Sequence, residues 1–188
     1  MLTRNYDLIC SAISSTFKRT VIKTLEDKVK NVDGSTIYSS IALGYYPLNN
    51  IVITNNIGSN NGNTVLLVGS DDTPVTYDDY KITLISGLTG VSATEFQTGL
   101  IEDDTVFENT IKVIYTNSNA DSIIIKEIGA YFNVVGNASS NYQILLYREV
   151  LDTPIEVPSG ANAVISLTKR TSLYPNIPAD YVATASVE

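Results

Sequence analysis

The sequence predicts a mainly β protein: an antiparallel β-sandwich, immunoglobulin-like or jelly-roll-like, with an N-terminal helix and an extended C-terminal arm. Three observations lead there. Between Ser122 and Thr168 the chain reads strand, turn, strand, turn, strand, the antiparallel rhythm of a sandwich or barrel. No alternation of strands with long helical patterns, the mark of a parallel sheet, occurs anywhere. The composition suits strands: 44% of residues are hydrophobic and only 17% charged, with 12 Tyr, no Trp and no His, so Asn, Ser and Thr must carry the polar surface.

In chain order, Leu2, Tyr6, Ile9, Ile13 and Phe17 recur every three or four residues, which predicts one stripe of an amphipathic helix with Thr3 as its N-cap. From Lys18 to Val32 that stripe could continue through Val21, Leu25 and Val29, or Thr20-Val21-Ile22 could form a strand. Asp33-Gly34 is a turn signal that ends the segment either way. Residues 1–34 are therefore set apart as a helix with a connecting segment, 35–170 as the β body and 171–188 as the arm.

Within the body, Thr36–Leu43 and Ile51–Thr54 are candidate strands, and Asn55–Asn63 (NNIGSNNGN) is a low-complexity surface loop. Thr64–Gly69 (TVLLVG) reads as a buried strand and Lys81–Ile85 as its return; Val91–Phe96 is another short strand. From Thr105 to Tyr115, Phe107, Ile111, Val113 and Tyr115 alternate with Glu108, Thr110, Lys112 and Ile114, the pattern of a half-buried antiparallel strand. Asn117 to Asp121 turns the chain into Ile123–Tyr131. The cluster Gly136 to Asn141 turns it into Tyr142–Val150, and Pro158-Ser159-Gly160 into Ala161–Thr168. Beyond Arg170, Pro175 and Pro178 forbid a regular helix, and the spaced residues Leu173, Tyr174, Ile177, Tyr181 and Val182 predict an extended segment with a few anchors.

Charge narrows the classes of function. The net charge is −8 and the sequence pI about 4.5, which argues against a chain whose main work is gripping nucleic acid. The first thirty residues run the other way: Arg4, Lys18, Arg19, Lys23, Lys28 and Lys30 face only Asp7, Glu26 and Asp27. That is a solvated basic face or an arm for an acidic neighbour, such as another copy's body. The lone cysteine, Cys10, excludes an intrachain disulfide, and with no histidine the usual zinc, iron and copper sites are absent. No apolar run reaches the 18–20 residues that span a bilayer, and no apolar stretch of signal-peptide length follows Arg4, so synthesis in the cytoplasm as a soluble chain is expected.

Catalytic signatures are missing too: no G-x-S-x-G, no Gly-rich phosphate loop and no Cys/His couple. No catalytic residue and no cofactor is predicted. The nearest thing to a site is the aspartate set Asp71, Asp72, Asp78 and Asp79, with Glu102-Asp103-Asp104 as a second cluster. Hard oxygen ligands of this kind suit calcium, yet the spacing lacks the glycine and terminal glutamate of an EF-hand loop. As turn caps or solvated loop carboxylates the same residues need no metal.

Two blocks carry a resemblance. One is VGSDDTPVTYDDYKI, Val68 to Ile82; the other joins IKEIGAYF, ILLYREVLDTP and VPSGANAVISLT, Ile125 to Thr168. Together, and in this order, they resemble a pattern in structural proteins of tailed bacteriophages and prophages. Asp71-Asp72 stands where glycine or threonine is usual, and Ala130 where leucine is. The resemblance brings no catalytic residues. It implies a virion component acting by subunit packing, in the tail or neck (collar, tail attachment or fibre base). Its partners would be other virion proteins and further copies of itself, with no nucleic acid and no membrane, and it would be made in the host cytoplasm. A capsid decoration protein, a receptor- or carbohydrate-binding sandwich, and a cytoplasmic inhibitor or assembly chaperone are the alternatives.

Overall fold

The computed structural model describes residues 1–6, 29–36, 63–91, 97–101, 106–135, 141–172 and 180–187. Among these the protein is mainly β, with strands β1 (Asn63–Gly69), β2 (Leu88–Val91), β3 (Gln97–Ile101), β4 (Val106–Asn117), β5 (Ile123–Val135), β6 (Asn141–Val157), β7 (Asn162–Ser172) and β8 (Asp180–Val187). They form a sheet of order β1-β5-β6 and a second of order β2-β4-β7-β8, in which β3 also pairs with β4. The chain divides into two compact units, residues 1–84 with 126–152 and residues 85–125 with 153–188. Among the described residues no helix is long and apolar enough to cross a membrane.

The first unit is built around β5 and β6. β1 lies antiparallel to β5, from Asn63 opposite Asn133 to Gly69 opposite Glu127. Every residue from Glu127 to Phe132 is buried, as is every residue from Ile144 to Arg148. Both faces of these strands are therefore covered, which is why the sequence shows continuous apolar runs here and no alternation. Tyr131, Leu145 and Ile82 form one packed cluster of this core.

The other edge of β6 takes up the start of the chain. Leu2 bridges Tyr147, the Thr3 N–H donates to the Leu146 carbonyl at 3.0 Å and the Arg148 N–H to that of Met1 at 3.0 Å. Thr3 stands immediately before the helical residues Arg4–Tyr6, at the position expected of an N-cap; its carbonyl accepts the Tyr6 N–H at 3.1 Å, and its buried hydroxyl donates to the Leu145 carbonyl at 2.7 Å. Arg4–Tyr6 make a helical turn, and the rest of the expected helix lies outside the described residues. The Asp33-Gly34 turn is present. Gly34 N–H donates to Asn31 O at 2.8 Å, Asp33 Oδ1 accepts from the Ser35 N–H, and Val32 N–H reaches Gln143 O of β6 at 3.0 Å.

A correction falls on Lys81–Ile85, which is not a ladder-forming strand. Leu84 makes only an isolated bridge to Gly69. The reason is competition from side chains: Tyr131 Oη accepts the Ile82 N–H at 2.7 Å and Glu127 Oε1 the Thr83 N–H at 2.7 Å, so these donors need no partner strand.

The second unit centres on β4. β7 pairs with it over Val106–Thr116, while β2 and β3 share its other side in succession, β2 on Ile114–Asn117 and β3 on Val106–Thr110. The expected alternation is present along the described part of β4: Ile111, Val113, Tyr115 and Asn117 are buried, and Thr110, Lys112, Ile114 and Thr116 partly exposed. Of the strand expected at Val91–Phe96 only Val91 is described, as the last residue of β2; residues 92–96 lie outside the described set. The strands expected at 36–43 and 51–54 and the asparagine loop lie almost wholly outside it.

The turn at Pro158-Ser159-Gly160 is as expected, with Gly160 at φ +75° and the Ala161 N–H donating to Pro158 O at 3.1 Å. β6, however, runs on through Pro154 to Val157 before reaching it. At the C-terminal side, Asp180–Val187 is extended and pairs along β7 as the edge strand β8, so this part of the expected arm belongs to the chain's own sheet. Residues 173–179 of the arm lie outside the described set.

Candidate functional site

Two charged residues sit inside runs that are buried on both faces: Glu127 in β5 and Arg148 in β6. An isolated charge there would be costly, so the pair must be matched by geometry. Glu127 is fully buried and Arg148 is 4% exposed. Arg148 Nε donates to Glu127 Oε2 at 2.7 Å. The other guanidinium nitrogens reach the 70–84 segment: one donates to Asp79 Oδ2 at 2.8 Å, the other to Thr73 Oγ1 at 3.4 Å and lies 3.5 Å from Asp71 Oδ2. Glu127 Oε1 in turn accepts the N–H groups of Thr83 at 2.7 Å and Asp71 at 3.3 Å. The centre thus clasps both ends and the middle of the 70–84 segment against β5 and β6.

Gly69 makes room for it. It stands directly opposite Glu127 in the β1–β5 register. A Cβ there would overlap Glu127 Oε1 and stand 2.6 Å from the Thr83 carbonyl oxygen. Close approach explains the glycine.

The four aspartates singled out in the sequence are not gathered about one point. Asp71 and Asp79 face Arg148, Asp72 pairs with Lys126 at 2.8 Å, and Asp78 pairs with Arg4 at 3.2 Å. Two of them also close turns: Asp71 accepts from the N–H and hydroxyl of Thr73, and Asp79 from those of Thr76. Among the described residues no group of three or more Cys, Asp or Glu is placed to hold a metal ion. The cluster at 102–104 lies outside them.

Electrostatics follow from these contacts. Hydrogen bonds from Thr73 hold the Asp71 carboxyl below the usual carboxylate range, and Lys126 does the same for Asp72. Burial pushes Asp79 up, but donors on Thr76 and Arg148 outweigh it and the net shift is down. Burial works against the Arg148 charge, while Asp79 and Glu127 raise its pKa above the usual value. Every carboxylate oxygen of Glu127, Asp71 and Asp79 is engaged by a donor of this chain, so the arrangement holds a segment in place. It presents no poised base to a substrate.

A second polar centre lies in the other unit. Asn117, fully buried at the end of β4, donates from Nδ2 to Asp121 O and Val157 O, both at 2.9 Å, and accepts the Asn119 N–H on Oδ1 at 2.9 Å. Its backbone pairs with Gly160 and Ala161. One side chain thereby ties the β4–β5 turn to the β6–β7 turn.

Sequence reading singled out the aspartates but missed Glu127, Arg148 and Asn117 as the residues that organise them. A usable signal existed for the first two: opposite charges, each in the middle of an apolar strand run. No family model, curated protein or solved structure matches the chain.

Proposed function

We propose that the chain is a structural component of a bacteriophage virion, in the tail or neck, acting by subunit packing. The observation that supports this reading is where the two resembling blocks meet. Thr73 and Asp79 come from the first block, Glu127 and Arg148 from the second. They join around the buried Glu127–Arg148 pair across separations of 69 and 75 residues. The blocks are thus two halves of one fold-holding device, which suits a building block more than a catalyst. In this reading the sandwich expected from the sequence closes the core, and the exposed strand edges are left for neighbours.

Immunogold electron microscopy of purified particles, with antibody against this chain, tests it. Label at one fixed place, tail or neck, is the expected result. Label on the head would replace the tail position with capsid decoration. Unlabelled particles from cells rich in the protein would overturn the virion role in favour of an assembly factor.

A further inference from the structure

We propose that the 70–84 segment is a strap that opens and closes as one unit against β5 and β6, with the buried Glu127–Arg148 pair as its latch.

The segment has the joined ends of an Ω-loop: Gly69 bridges Leu84, and the Ser70 N–H donates to the Thr83 carbonyl at 2.9 Å. Between those ends it forms no strand ladder and buries little of itself. Ile82 alone is buried, packed with Tyr131 and Leu145, and its N–H donates to Tyr131 Oη at 2.7 Å. Lifting such a segment exposes one apolar anchor. Taking apart the strands beneath exposes the runs Glu127–Phe132 and Ile144–Arg148, which are buried throughout. The strap therefore opens at a lower cost than the sheet unfolds.

Its polar attachments converge on one place. Glu127 Oε1 takes an N–H from each end, Asp71 at 3.3 Å and Thr83 at 2.7 Å. Arg148, held by Glu127 Oε2, takes Thr73 and Asp79 from the stretch between. Water that enters at one of these contacts weakens the others, because all share the same low-dielectric site. Ends and middle therefore leave together. At the rim, the ion pairs Arg4–Asp78 and Lys126–Asp72 are partly exposed and add little. The Tyr80 ring beside Gly34 and the Arg4 N–H on the Tyr77 carbonyl, at 2.7 Å, complete the attachments described.

Hydrogen exchange of the full chain at neutral pH, in urea too dilute to unfold it, tests this. The Ser70, Asp71, Ile82 and Thr83 amides are expected to exchange faster than the buried amides of β5. They should share one urea dependence, shallower than that of β5, because opening the strap exposes less surface than unfolding. Asp79→Asn weakens the contacts to Arg148 and Thr76 and removes none of the bonds made by those four amides. It is expected to speed all four by one common factor, about tenfold or more. Four amides with the urea dependence of β5 would overturn the proposal, since the segment would then leave only with the whole fold. Separate urea dependences, or an Asp79→Asn effect that differs among the four, would overturn it too, since the segment would then fray piece by piece.

Discussion

Arg148 Nε and Glu127 Oε2 lie 2.7 Å apart on neighbouring strands of one sheet, in a site almost closed to solvent. Removing one partner of such a buried pair costs about 3–5 kcal/mol, although Arg148 keeps Asp79 and Asp71 when Glu127 is changed. Glu127→Gln is expected to fall in this range: Oε1 and Oε2 both accept from fixed donors, so the amide NH2 must face one of them whichever way it turns. Arg148→Met is expected to cost as much. The double variant should cost less than the two singles added, as measured by urea denaturation.

Gly69→Ala is expected to destabilise by about 1–3 kcal/mol, because Glu127 and the Thr83 carbonyl must both retreat from the new methyl group. The loss should shrink in a Glu127→Ala background, where one of the two obstacles is gone. Equal losses in both backgrounds would show that the carboxylate is not what the glycine accommodates.

Acid should release the 70–84 segment. Asp71, Asp72 and Asp79 all have lowered native pKa values, so the unfolded chain binds more protons in that range. Their stabilising contribution is complete above the unfolded carboxylate value of about 4 and is lost as pH falls through the lower native values. Hydrogen exchange at pH 3 is expected to rise at the Thr83 and Asp71 amides, both held by Glu127, before it rises in β4 and β7. Asp79→Asn should flatten part of the acid slope.

Tyr115 gives the opposite sign. Burial pushes its hydroxyl up to about 12, so its contribution is present below about 10 and is lost as pH rises from there. Tyr115→Phe is expected to reduce the loss of stability between these two values, followed by chemical denaturation. Spectrophotometric titration of the parent should show tyrosines ionising well above the rest, since burial raises Tyr131 also.

Asn117→Ala should cost about 2–4 kcal/mol, since it leaves two carbonyls and one N–H without their partner at a buried corner. Asn117→Asp cannot restore the two donated bonds and is expected to be no better. Thermal unfolding of both variants checks this.

Much of the fold was legible in the sequence because it depends on local signals. The alternation from Ile111 to Tyr115, the apolar runs of β5 and β6, and the glycine at 160 each state a neighbour-by-neighbour preference. A misreading arose where distant side chains supplied what local pairing would have supplied. Lys81–Ile85 reads as a strand, but Tyr131 and Glu127 took its N–H groups.

By itself the sequence determined that this chain is mainly β, where most of its described strands and turns fall, and that its charge is acidic outside a basic start. Those are properties of composition and short-range pattern, which every stretch carries with it. Only the tertiary structure decided that Asp71 and Asp79 converge on Arg148, while Asp72 and Asp78 turn to Lys126 and Arg4. Four similar carboxylates within nine positions cannot reveal their partners, because each partner is brought near by strand register and chain crossing.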